Sequence, residues 1–320
     1  MEYSKEAVIF LKKEQFIQAS SSHDLSPSPL GVATTLSGIA PKDAVQILRP
    51  LLEARRKLIL KGGLHPVFLV TPPSTTIEPD WNNYEKILDT LYREHPDAKA
   101  VADLVGIQQS QLLVYAFKHP VYLYGATNGG SGNSTVLLYR RFYSAILLFS
   151  LIQEWPLTRV TNLITNVTRG QLQQLQKDAS TFCGMTVVFC KKLNWSILAA
   201  CLEDYCGRLN YGANTDILPL VRIGSDMTSS RARYFFKNGL KSAQDIVQAG
   251  VGVITQHLVD MLPYTSTEAL NITNLEGETS VRNHSGRETS FDACQRLARK
   301  LIAAARDVIA AEVERLNNEV

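Results

Sequence analysis

The chain has 320 residues, 45% of them hydrophobic and 20% charged, which is the composition of a folded protein of two or three domains and not of a disordered one. Lys and Arg number 33 against 30 Asp and Glu, and a net charge of +3 excludes a basic coat over the whole surface. Any nucleic-acid surface must then be local, made by where the basic residues stand.

The opening residues, Met1 to Phe16, lack the uninterrupted apolar core of a signal peptide. The most apolar run, Phe142 to Ile152, is short for a bilayer and carries Ser144 and Ser150. The expectation is a soluble intracellular protein without a membrane partner. Lys5 to Gln18 reads as a helix running into a strand, and the Ser- and Pro-rich stretch from Ser20 to Pro29 as a turn region. Pro41–Lys42–Asp43 opens a helix, since proline is tolerated in a first turn and an acid suits the positive end of the helix dipole. Val45, Leu48, Leu51, Leu52 and Leu58 are expected on its buried side, with a break or kink at Pro50. Val67 to Val70 is a short apolar run ended by Thr71–Pro72–Pro73.

A helix starts at Asp80–Trp81 and buries Tyr84, Ile87, Leu88 and Leu91. Two short ones, Ala98–Val105 and Gln109–Phe117, flank Gly106. Gly125 to Gly132 looks like a phosphate loop, but it has no lysine and no clean leading strand, so it reads as a surface loop. Tyr139–Glu154 is a strongly apolar helix, Leu157–Ile164 a short one, Gln171–Leu193 a long amphipathic one, and Ile197–Asn210 another, stopped by Tyr211–Gly212. Short helices follow at Ile217–Ile223, Ser229–Asn238, Ser242–Gln248 and Val253–Met261. A polar, acidic insertion spans Thr265–Arg287, and Phe291–Leu316 closes the chain as a long helix.

Two segments stand out. Along Gln171–Leu193, the residues Leu172, Leu175, Ala179, Phe182, Thr186, Phe189 and Leu193 step by three and four and form the buried stripe. The other face carries Gln173, Gln174, Lys177, Ser180, Thr181 and Gly184, with Arg169 just ahead of the helix. Amides and hydroxyls bond phosphate and sugar without reading sequence, and the cations supply attraction, so this face suits a single strand. An ordinary solvated helix surface has the same composition. The second segment, Leu220 to Arg233, turns one short helix into another bearing Arg231, Arg233 and then Lys237, and either a phosphate grip or a plain helical hairpin fits it.

No catalytic constellation appears. Five Cys (183, 190, 201, 206, 294) contain no CxxC and are expected to be small buried apolar side chains. Six scattered His contain no HExxH, so no metal site is expected, and neither a phosphate-loop lysine motif nor a GxSxG is present.

Arg169–Gly170–Gln171–Leu172–Gln173–Gln174–Leu175, Cys183 to Phe189 and Leu193–Asn194–Trp195 together resemble the helicase-like part of the DNA polymerase theta family. So do Leu220–Val221–Arg222 with Arg231–Ala232–Arg233, Ser26 to Gly31, Leu64 to Pro72, and Asp80–Trp81; helicase POLQ-like proteins share the order. The resemblance runs over roughly residues 5–316.

It implies a mainly α fold: a winged-helix remnant at 1–35, a helical ratchet-type bundle at 36–212, and a small helix–hairpin–helix domain at 213–320 with a flexible insertion at about 265–287. It also implies a non-catalytic single-stranded DNA-binding segment that works in double-strand-break repair in the nucleus. Its RecA-like motor domains, which use ATP and Mg, and its polymerase domain lie outside these residues. The DNA-contacting residues implied are Arg169, Gln173, Gln174, Lys177 and Thr181, with Arg231, Arg233 and Lys237 behind them. Gln173 and Thr181 stand where archaeal relatives carry Arg and Trp, which implies backbone contact rather than base stacking. The hairpin reads Gly224–Ser225–Asp226 in place of the family's glycine–apolar–glycine turn. The alternative is a scaffold or oligomerisation module that supports motor domains without touching DNA.

Overall fold

The computed structural model describes residues 2–19, 25–117, 131–156, 159–160, 167–262 and 290–318, and they are mainly helical. They fall into two compact units, Met1–Gly212 and Ala213–Val320.

The first unit begins with α1 (Glu2–Lys13) and a small antiparallel pair, β1 (Ile17–Ala19) and β2 (Leu25–Pro27), in the register Ile17↔Pro27. The expected turn region is thus partly strand, because Leu25, Ser26 and Pro27 find partners on β1. Ser28 joins this pair to α2 (Pro29–Ser37). Its hydroxyl caps the helix by accepting from the Gly31 N–H at 3.0 Å and donates to the Gln15 carbonyl at 2.6 Å. Gly31 has to be glycine, since a Cβ there would meet the Phe16 carbonyl oxygen at 2.1 Å.

Helix α3 (Pro41–Arg56) runs through Pro50 without ending. Proline removes one backbone N–H donor, and burial of Ala44, Ile47, Leu51 and Ala54 on one side offsets that loss. This buried side differs from the expected one: Leu52 is exposed, Val45 and Leu48 are half-buried, and Leu58 lies beyond the helix end.

The centre of the unit is α4 (Leu64–Val70), in which all seven residues are buried. It packs on α3, on α6 (Asp97–Val105), on α8 (Ser131–Ile152), on α9 (Arg169–Lys192) and on α10 (Ser196–Tyr211). The last carbonyls of a helix have no partner inside it. Here Arg141 of α8 supplies one: its Nε donates to the Thr71 carbonyl at 2.9 Å, and its Nη2 to those of Phe68 and Leu69 at 3.2 and 3.1 Å. Burial lowers the pKa of this guanidinium to about 9, with Asp43 acting in the opposite direction.

Alongside lie α5 (Trp81–Glu94) and α7 (Gln109–Phe117), with Tyr84, Ile87, Leu88 and Leu91 buried as expected. Fully burying one such aliphatic or aromatic side chain is worth roughly 1.5–3 kcal/mol relative to leaving it exposed. Gly106, with φ +93°, ends α6 in the left-handed conformation.

Helix α8 is longer than the apolar run that marks it. Its 18-residue window Thr135–Ile152 has the length and composition to cross a bilayer, and 72% of that window is buried inside the protein, as in a core helix. Ser131 and Gly132 belong to its first turn, while residues 125–130, most of the Leu157–Ile164 segment and the insertion at 265–287 lie outside the described residues.

The second unit holds a short 3-10 turn (Thr215–Ile217), α11 (Leu218–Val221), α12 (Ser229–Lys237), α13 (Ala243–Asp260) and α14 (Ser290–Asn318). Helices α13 and α14 form its main contact. Gly250, at φ +72° and ψ 170°, breaks α13 into two helical stretches where two short helices are expected. Phe235, Ile246, Ile254, Leu301 and Ala305 are fully or almost fully buried in its core.

Candidate nucleic-acid interface

Helix α9 starts with a capping box. The Thr168 hydroxyl accepts from the Gln171 N–H at 3.3 Å, and the Gln171 side chain accepts from the Thr168 N–H at 2.9 Å. One side of the helix buries Leu172, Leu175, Ala179, Phe182, Cys183, Thr186, Val187, Phe189 and Cys190, which includes the expected stripe, although Leu193 is only half-buried. Thr186 is tolerated in that stripe because its hydroxyl donates to the Phe182 carbonyl at 2.8 Å.

The partner on that side is α10. Gln176 Nε2 donates to the Leu209 and Asn210 carbonyls at 2.8 and 3.2 Å, satisfying the end of α10 just before Gly212 takes the left-handed conformation. Lys191 and Glu203 form an ion pair at 3.1 Å further along. These contacts fix the rotation of α9 about its axis, and so fix which residues face outward.

The outward strip contains Gly170, Gln173, Gln174, Lys177, Thr181 and Val188, all exposed, with Arg169 exposed at its start. From 170 to 188 it is about 27 Å long at 1.5 Å per residue. Gln174 donates to Asp178 Oδ1 at 2.8 Å, and the Thr181 hydroxyl turns back to the Lys177 carbonyl at 3.2 Å. Among the described residues no carboxylate pairs with Arg169 or Lys177. A Cβ at Gly170 or Gly184 would meet nothing within 4 Å, so the strip has two shallow gaps in its relief. Ser180 leaves the strip: it is half-buried, with its hydroxyl 3.5 Å from the Cys206 carbonyl.

The three weaker candidates in the second unit have different fates. Arg233 is held by Asp216 through Nη1 at 2.6 Å and Nη2 at 2.7 Å, and its guanidinium lies 5.4 Å from the Phe236 ring centre. That bond first, and Arg233's charge with it, hold the Asp216 carboxyl below its usual range. Arg231 donates to the Asp226 carbonyl at 2.6 Å and braces the turn between α11 and α12. Lys237 is exposed at the end of α12, and Arg222 is exposed at the end of α11. The structure thus leaves Lys237 outward and turns Arg231 and Arg233 to internal contacts.

Sequence spacing missed Gly170, Val188 and Arg222. The first two follow from carrying the three-and-four step one turn beyond each end. No spacing marks Arg222, which is outward only because α11 is so short.

No group of three His, Cys, Asp or Glu side chains able to hold a metal occurs among the described residues. What the fold defines is a helical domain in which one face of a single, well-anchored helix is an exposed polar strip. The chain belongs to the family of the helical domain of the DNA polymerase Q helicase-like region, whose sequence model matches residues 41–209, just over half the chain.

Similar proteins include DNA polymerase theta of Caenorhabditis elegans, 29% identical over 272 residues that cover 84% of this chain and 16% of that protein. DNA polymerase theta of Drosophila melanogaster is 29% identical over 291 residues, 88% of this chain and 13% of that protein. That of Mus musculus is 29% identical over 266 residues, 81% of this chain and 10% of that protein. The chain therefore spans about a sixth or less of the length of these relatives.

Proposed function

We propose that these residues form a non-catalytic, single-strand-binding segment of a polymerase-theta-type helicase. The observation that carries the proposal is the α9 strip: an outward face of amides, a hydroxyl and two cations that no carboxylate pairs among the described residues, locked in rotation by α10. Such a face tracks a sugar–phosphate backbone without reading bases. In this reading RecA-like motor domains, fuelled by ATP with Mg, move the strand past the strip. The setting is double-strand-break repair in the nucleus.

The finer domain assignments belong to the same proposal. Helix α1 with the β1–β2 pair fits the end of a winged-helix domain covering 1–35, and the helical bundle fits 36–212. In 213–320, α11, the turn through Gly224–Ser225–Asp226 and α12 fit a helix–hairpin–helix.

The test is fluorescence anisotropy of a labelled single-stranded oligonucleotide with the whole chain across a salt series. We expect weak binding whose logarithm falls linearly with the logarithm of salt concentration. Removing both cations with Arg169→Ala and Lys177→Ala should cost about tenfold at low salt and lower the salt slope by roughly 1–1.5. No binding at low salt, or an unchanged slope in the double variant, refutes the proposal. Photo-cross-linking from the Gln171–Thr181 face then separates the rival: adducts to DNA support strand contact, whereas adducts to protein alone favour a scaffold.

A further inference from the structure

Behind the exposed strip the contact between α9 and α10 contains two thiols. Cys183, buried on α9, and Cys206, half-buried on α10, have their sulfurs 2.7 Å apart. Both also face the Leu202 carbonyl oxygen, at 3.5 Å from Cys183 and 3.9 Å from Cys206. Closing to a disulfide needs the sulfurs to approach by only about 0.7 Å, to a bond of ~2.05 Å.

The two groups are not equivalent. Cys206 reaches solvent and Cys183 does not, so an oxidant meets Cys206 first. The two sulfurs share one contact in which either can donate. That contact lowers the Cys206 pKa against the opposing effects of burial and Glu203, with Lys191 a lesser influence in the lowering direction, and together with burial it raises that of Cys183. A half-buried cysteine whose pKa is lowered, set next to a fully buried one, is the arrangement of an attacking and a resolving cysteine. Cys190, Cys201 and Cys294 have no such sulfur neighbour among the described residues.

We propose that Cys183 and Cys206 form a reversible disulfide on exposure to a hydroperoxide, joining α9 to α10. The Cys206 thiolate attacks the terminal peroxide oxygen, the O–O bond breaks, and the alcohol or water leaves once its oxygen takes a proton. Cys206 is then a sulfenic acid. The Cys183 sulfur attacks the sulfenic sulfur, the S–O bond breaks, and the hydroxide released takes the Cys183 proton and leaves as water. Two thiols are oxidised by two electrons and one peroxide is reduced. The cross-link ties the stretch of α9 behind Thr181 and Gly184 to its neighbour and closes a loop of 23 residues in the chain, which restrains the unfolded ensemble. None of this depends on strand binding.

The full chain is treated with hydrogen peroxide, its remaining thiols are blocked with a maleimide, and it is digested and mapped by mass spectrometry without reductant. The expected product is one linked peptide pair containing Cys183 and Cys206, two hydrogens lighter than the free peptides and released by dithiothreitol. Oxidation should raise Tm by roughly 5 °C or more, reversed by the reductant. Cys206→Ser should lose both effects and Cys201→Ser should keep both. The mapping of the unmutated chain decides the matter if Cys206→Ser folds poorly. Recovery of both thiols as maleimide adducts, pairing through Cys190, Cys201 or Cys294, or Cys206 trapped as sulfinic acid with Cys183 free would overturn the proposal.

Discussion

On α9, Arg169 and Lys177 extend from an outward face with no carboxylate to hold them among the described residues, whereas on α12 Arg233 is gripped by Asp216 through both terminal nitrogens. Arg233 of the second unit follows a turn, where chain reversal brings an acid from the preceding 3-10 turn within its reach. A single helix face cannot do that, because its neighbours on the same face are fixed three and four residues away. There the near carboxylate, Asp178, is engaged by Gln174. Arg141 is a further case, with no ion pair among the described residues and three backbone carbonyls in its place. A cation in this protein thus serves the fold or remains available to a partner, and the packing around it decides which.

The comparison breaks most visibly at Arg141. Arg141→Met keeps much of the bulk and takes the guanidinium donor from the carbonyls of Leu69 and Thr71, while that of Phe68 keeps the Thr71 N–H at 3.2 Å. A loss of about 2–4 kcal/mol in urea unfolding of the chain is expected. Lys177→Met, by contrast, should stay within about 0.5 kcal/mol, as exposed positions do. Equal losses would mean that Lys177 is structural too.

A second effect of similar size is pH-dependent. His65 is buried in α4, its Nδ1 accepts from the Ile59 N–H at 3.1 Å, and burial lowers its pKa to about 4, with Glu53 acting in the opposite direction. The unfolded chain, with His near 6.5, binds the proton more tightly, so stability is held above pH 6.5 and falls as pH drops toward 4. About 3 kcal/mol is at stake over that window. His65→Gln should flatten the fall of urea midpoint between those pH values; an unchanged profile would place the titration elsewhere.

Arg233→Ala gives the direct test of the two regions. It should cost the second unit about 0.5–1 kcal/mol, the worth of a partly exposed ion pair. Single-strand affinity should change by less than twofold. A drop as large as that of Lys177→Ala, read by anisotropy, would erase the distinction between the turn and the strip.

How much of this could be read from sequence depended on the range of the interaction. The buried stripe of α9 and the outward Gln173, Gln174, Lys177 and Thr181 were legible because helical periodicity is local. Helix α4 was not, since a seven-residue run buried all round has no period to detect. Of the short β1–β2 pair only the first strand was legible, following the helix as expected, because β2 is a strand only through its pairing with β1. Arg231 and Arg233 looked like phosphate ligands because the acid that takes Arg233 stands 17 residues away, and the backbone oxygen that takes Arg231 leaves no mark in sequence. Cys183 and Cys206, 23 residues apart, are adjacent only once α10 folds back on α9.

The smallest expected effect sharpens the strip itself. Asp178 is the acid nearest the outward face, half-buried and bonded to Gln174, one residue from Lys177. A carboxylate some 8 Å from a bound phosphate repels it by about 0.5 kcal/mol in water-like surroundings, roughly a twofold change in affinity. Asp178→Asn removes that charge while keeping an oxygen to accept from Gln174, so the helix should hold its stability. Affinity for a single strand should then rise about twofold at low salt. Because charges at that distance are largely screened near physiological salt, the gain should fade as salt rises. If affinity is unchanged at low salt, the strand does not run along the Gln174–Thr181 side of α9. If the gain persists undiminished at high salt, then Asp178 acts by contact and not through its field, and the strand lies closer to it than the strip geometry requires.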